Sequence, residues 1–70
     1  MILMRLGQRI LDLRKKQGYT QEKLAELSDI SSTYLAQLER GEKAPTIIVI
    51  MKIAHGLDVD GATLIENIKL

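Results

Sequence analysis

Residues 31–37 read Ser-Ser-Thr-Tyr-Leu-Ala-Gln, and the side chains of Ser31, Ser32, Thr33 and Gln37 are the part of this sequence with the most to offer chemically. Each donates and accepts hydrogen bonds without carrying charge, which suits the mixed donor and acceptor edges of base pairs in a major groove about 12 Å wide. Catalysis finds no comparable inventory. The chain has no cysteine and a single histidine, His55, which excludes a thiolate metal site and a cysteine nucleophile. No glycine-rich phosphate loop is present, and the serines lack a base because His55 falls on a different helix. We therefore expect no enzyme, no metal ligand and no cofactor, with His55 a surface residue of a helix.

The elements that must carry these side chains are read from helix punctuation. Leu6, Ile10 and Leu13 recur at helical spacing over about 6–17, and Gly18 is placed to end that helix. Thr20 caps a second helix, whose Leu24, Ala25 and Leu27 face inward as far as Ser28. Ser31 caps a third, with Leu35 and Leu38 inward and Gly41 closing it after Arg40. Pro45 and Thr46 open a fourth, predicted to bury Ile47, Ile50, Ile53, Ala54 and Leu57. Asp60 caps a short fifth carrying Leu64 and Ile68, and no segment alternates as a strand does. The expectation is an all-α fold. Only Asp29 and Ile30 separate the second helix from the cap of the third, which forces a sharp angle; Ala25 is small enough for a close crossing, and Ile30, Leu35 and Leu38 fill the gap. This is the pattern of a helix-turn-helix over about residues 20–40. The third helix, about 31–40, then presents Ser31, Ser32, Thr33, Ala36 and Gln37 outward.

Seventy residues with 46% hydrophobic side chains and no Cys allow one domain, 1–70, held by packed helices. No apolar stretch approaches the roughly 20 residues needed to cross a bilayer, and the expected location is cytoplasmic. The formal net charge of +1 hides a gradient. In residues 1–20, Arg5, Arg9, Arg14, Lys15 and Lys16 stand against Asp12 alone, whereas residues 21–45 hold three basic groups against five acidic ones. Arg14, Lys15 and Lys16 are read as a solvated helix end, and Arg9, on an exposed face nearer the helix start, as a phosphate candidate.

Gly7-Gln8-Arg9-Ile10, Leu13-Arg14, Thr20-Gln21, Leu24-Ala25, Tyr34-Leu35, Leu38-Glu39-Arg40-Gly41, Lys52-Ile53-Ala54 and Leu57 together resemble the Cro/C1-type helix-turn-helix regulators, also called the xenobiotic-response-element family. The likeness runs from about Leu6 to Ile68. It implies a compact five-helix bundle of the phage-repressor type that binds operator DNA as a homodimer, with the third helix in the major groove and transcription regulation, as repressor, the result. Carried over by position, Ser32, Thr33 and Gln37 correspond to base readers. Thr20 and Gln21 correspond to phosphate contacts, Gln21 as a phosphate-contacting glutamine, Ser31 to a cap that also approaches the backbone, and Arg40 and Lys43 to flanking phosphate contacts. Tyr34 has two readings, a ring packed on neighbouring helices and a hydroxyl directed to solvent or phosphate. Arg14 and Glu39 correspond to a structural ion pair joining the first helix to the end of the third.

The sequence departs from the family pattern in three places. Asp29 stands where glycine usually takes a left-handed turn, Ile48 and Val49 where polar residues are usual, and Gly56 where a helix former is usual. A single recognition helix covers few base pairs, so a twofold partner is expected through Ile48, Val49, Ile65, Ile68 and Leu70, one of Ile65 and Ile68 completing the monomer core instead. Double-stranded DNA is the expected partner, with no membrane and no effector-sensing domain. The alternative is an antitoxin or protein-interaction module of the same fold, in which Ile48 and Val49 bind another protein.

Overall fold

The computed structural model describes residues 1–68, so Leu70 lies outside the described residues. Five helices follow in order: α1 (Ile2–Lys16), α2 (Gln21–Leu27), α3 (Ser32–Glu39), α4 (Ile47–Leu57) and α5 (Gly61–Ile65). No strand occurs among the described residues, and no helix there is long and apolar enough to cross a membrane.

The first four helices end in the same way. A residue in the left-handed region follows each: Gly18 (φ 76°), Asp29 (φ 55°), Gly41 (φ 75°) and Asp58 (φ 57°). The next residue then returns its N–H to a carbonyl inside the last turn, giving the pairs Tyr19 to Arg14, Ile30 to Ala25, Glu42 to Gln37 and Val59 to Ala54. This closes carbonyls that would otherwise lack donors, and the half-buried Ile30 and Val59 lay apolar side chains over the core as they do so. Asp29 holds the left-handed position that the family pattern gives to glycine. Asp29→Gly is accordingly expected to raise stability by about 0.5–1 kcal/mol, read by thermal unfolding. The Lys52–Asp29 approach that it removes is 3.8 Å long and exposed, and contributes little.

Every helix supplies the core. Leu6 and Ile10 come from α1, Leu24 and Ala25 from α2, Leu35 and Leu38 from α3, Ile53, Ala54 and Leu57 from α4, and Leu64 from α5. Each fully buried Leu or Ile contributes about 1.5–3 kcal/mol relative to exposure. Two glycines permit direct contact between helices. A Cβ at Gly7 would fall 2.4 Å from the Leu38 carbonyl oxygen and 2.6 Å from that of Glu39, so α1 lies against the C-terminal backbone of α3. A Cβ at Gly56 would fall 2.3 Å from Ser28 Oγ, a buried hydroxyl without a hydrogen-bond partner. The departure at Gly56 thus has a cause: α4 crosses α2 too closely for a side chain there.

Several expectations need correction. Helix α1 begins at Ile2 rather than near Leu6, because nothing in Met1–Arg5 breaks a helix and Met4 packs over Gly41. Ile47 was expected in the inward stripe and is 65% exposed. It is the first residue of α4, and the inward direction is taken by Ile50, Ile53, Ala54 and Leu57. Leu27 is partly exposed at the end of α2, and Ile68 lies beyond α5, which stops at Ile65.

Candidate nucleic-acid interface

Ser31 Oγ accepts the Tyr34 N–H at 3.0 Å and Thr20 Oγ1 accepts the Lys23 N–H at 3.0 Å. Each hydroxyl caps its helix with a lone pair and keeps its own proton for an outside acceptor. The cap at Ser31 fixes where α3 starts, and burial of Leu35 and Leu38 fixes its rotation. Thr33 then stands exposed while Ser32, Ala36 and Gln37 are half-buried along the same helix. None of the Ser32, Thr33 and Gln37 side chains forms a hydrogen bond among the described residues, so their donors and acceptors remain uncommitted. Tyr34 packs its ring against the core and is half-buried.

Beneath this surface lies a polar junction. Arg14 donates from Nε to Glu39 Oε2 at 2.7 Å and from Nη2 to Oε1 at 3.0 Å, with side chains only 10% and 4% exposed. Arg14 Nη1 also donates to the Tyr19 carbonyl at 2.9 Å, which fixes the loop before α2. Gln21 Nε2 donates to Glu39 Oε1 at 2.9 Å. A bidentate guanidinium and an amide together satisfy a carboxylate that would be costly to bury alone.

The acidic residues of 21–45 are largely matched. Glu39 is held by Arg14, Glu26 by Lys23 at 3.3 Å and Glu42 by Arg40 at 2.6 Å. The hydrogen bond to Arg40 holds the Glu42 carboxyl below its ordinary range, and Glu42 raises Arg40 in turn. A phosphate at Arg40 would have to compete with Glu42. Lys43 is exposed and has no ion-pair partner among the described residues, which leaves it the freer cation beside α3.

Arg9 has a different place from the one expected. It is half-buried, donating from Nη1 to the Thr63 carbonyl at 2.7 Å and from Nη2 to the Glu66 carbonyl at 2.9 Å. These bonds tie α1 to the C-terminal end of α5, so its first task is to join helices rather than to reach outward. Sequence spacing could not signal this, because the partners lie 54 and 57 residues away. The apolar candidates divide. Ile65 and Ile68 line a groove of about 350 Å³ with Ile2, Leu3, Pro45 and Ile50, whereas Ile48 lies with Leu27 and Met51 in a second groove between α2 and α4. Val49 is half-buried and packs on the core. Among the described residues no group of His, Asp and Glu could hold a metal ion.

The fold and this junction define a helix-turn-helix protein. The helix-turn-helix family model matches residues 10–64, and the chain belongs to this family, the Cro/C1-type helix-turn-helix transcriptional regulators. It is 38% identical over 61 residues to the HTH-type transcriptional regulator SutR of Escherichia coli, which covers 87% of this chain and 34% of that protein. To the HTH-type transcriptional regulator SinR of Bacillus subtilis it is 37% identical over 63 residues, 89% of this chain and 57% of that one. The chain therefore spans about a third to just over half the length of these two relatives. Among solved structures, the restriction-modification controller protein C.AhdI from Aeromonas hydrophila superposes with a TM-score of 0.87 at 37% identity, over 89% of this chain and 94% of that one.

Proposed function

We propose that this chain is a sequence-specific DNA-binding regulator acting in the cytoplasm as a homodimer on a palindromic operator, with α3 in the major groove. The observation that carries the reading is the outer face of α3, where Ser32, Thr33 and Gln37 hold side-chain groups that form no hydrogen bond among the described residues, on the helix capped by Ser31 and followed by the exposed ammonium of Lys43. Likeness to the immunity repressor protein of Bacillus phage phi105 supports a repressor. The test begins by enriching a duplex from random sequence with the wild-type protein. Thr33→Ala and Gln37→Ala are each expected to weaken that duplex by about 1–3 kcal/mol and to leave random DNA nearly unaffected. Lys43→Ala should weaken both alike and reduce the slope of log affinity against log salt by about one per contact. Equal losses on both duplexes for Thr33→Ala and Gln37→Ala would sink the base-reading assignment.

For the dimer, the groove around Ile65 has the better claim. Ile65 and Ile2 are 46% and 41% exposed beside it, and two protomers joined there would bury an apolar surface that water otherwise wets. Ile65→Lys is expected to sediment as a folded monomer and to lose operator affinity with it, while Ile48→Lys stays dimeric. The reverse outcome would move the interface to the α2–α4 flank. The second reading, a protein-interaction module such as an antitoxin, is favoured by one observation: Ile48 and Met51, each 62% exposed, form an apolar surface apart from the Ile65 groove. A defined partner protein whose binding is abolished by Ile48→Lys, with no duplex enriched, would favour it.

A further inference from the structure

We infer that Glu39, besides closing the ion pair with Arg14, is a positioning residue for phosphate recognition, holding the Gln21 amide with its NH2 group toward the DNA backbone; this rests on the DNA-binding reading above. The chemistry leaves one arrangement. An ionised carboxylate only accepts, so the Gln21 atom 2.9 Å from Glu39 Oε1 must be the amide nitrogen. One N–H is spent there and one remains to donate. A glutamine free in water turns its amide either way and presents the carbonyl oxygen, which a phosphate repels, as readily as the nitrogen.

The carboxylate that does the holding is itself negative and stands close to where a phosphate would lie. Arg14 removes that difficulty. Its guanidinium engages both oxygens of Glu39 from the α1 side, so the carboxylate orients Gln21 without an uncompensated charge under the DNA. Glu39 ends α3 and Gln21 starts α2, 18 positions apart. The same contact therefore fixes the backbone-gripping group relative to the reading helix.

The test uses the full chain, with the duplex enriched by the wild type and a random duplex of equal length, at temperatures well below each variant's own Tm. Glu39→Gln cannot accept on both of its terminal atoms, and the loss of a pre-ordered glutamine is expected to weaken binding to both duplexes roughly tenfold. In a Gln21→Ala background the same change should add nothing. Arg14→Lys keeps a cation beside Glu39 and leaves Oε1 to Gln21, so it should lower Tm while weakening binding less than Glu39→Gln does. In the free protein, the Gln21 side-chain NH2 resonances should move to those of an exposed glutamine in Glu39→Gln and stay in Arg14→Lys. Wild-type affinity in Glu39→Gln, multiplicative losses in the double variant, or affinities that follow Tm across all three would overturn the positioning role. If the wild type enriches no duplex, the DNA-binding reading falls and takes this role with it, whereas a wild type that binds while Glu39→Gln binds equally well removes the positioning role alone.

Discussion

Glu39→Ala is expected to lower stability by about 3–5 kcal/mol, because it leaves the Arg14 guanidinium buried without its anion. Arg14 would keep its bond to the Tyr19 carbonyl and lose both bonds to the carboxylate, with its side chain only 10% exposed. Domains of this kind have about 5–15 kcal/mol in all, so about a fifth of the margin or more is at stake. At about 4–8 °C per kcal/mol for a small domain, the melting temperature should fall by roughly 12–40 °C, measured by circular dichroism or calorimetry. A Glu39→Ala protein that melted within a few degrees of wild type would remove the ion pair from the account of stability. Arg40 and Glu42 provide the contrast: their bond is as short, but both side chains are more than half exposed and Glu42→Ala should scarcely move Tm.

Gly7→Ala should also destabilise, in the direction opposite to helix propensity. Alanine in the middle of a helix is ordinarily about 1 kcal/mol better than glycine. Here the added methyl would meet the carbonyl oxygens of Leu38 and Glu39 at 2.4 and 2.6 Å, and a backbone cannot rotate aside as a side chain can. Relieving the overlap requires α1 and α3 to separate and open their shared core, for which about 1–3 kcal/mol net destabilisation is expected. Denaturant unfolding reads the effect, with Gly61→Ala as control, since a Cβ at Gly61 meets nothing within 4 Å. A neutral or stabilising Gly7→Ala would show that α1 and α3 are not in backbone contact.

Local chemistry was readable in the residues, and distant partnership was not. Gly18 and Gly41 mark helix ends because they take positive φ readily, and Thr20, Ser31 and Thr46 mark starts because their hydroxyls close N–H groups three residues on. Asp60 begins α5 without such a bond. Asp58 ends α4 in the left-handed region with no glycine to announce it. The outward face of α3 follows from Leu35 and Leu38 facing in, so Thr33 and Gln37 could be placed from pattern alone. The partnership of Arg14 with Glu39 came from family likeness, since 25 residues separate them and spacing carries no information over that range. Arg9 looked free because its acceptors are main-chain carbonyls, which no side-chain motif encodes. Ile48 and Ile65 looked alike as surplus apolar residues; only the packing of α4 between α2 and α5 puts them on separate sides.

The Arg9 bonds bear on how two such protomers would measure DNA. A five-residue helix has little stability of its own, yet Arg9 anchors the end of α5 to α1, and Gly7 seats α1 directly on the backbone of α3. From Ile65 to Thr33 there is consequently no slack, and a pair joined through Ile65 would act as a fixed-length caliper rather than a hinged one. Duplex DNA turns once in about 10.5 base pairs, so adding one base pair between half-sites swings one of them by roughly 34° around the axis. A hinged reader could follow that swing. This caliper could not, and an operator with a single base pair inserted at its centre should be bound as two unrelated halves.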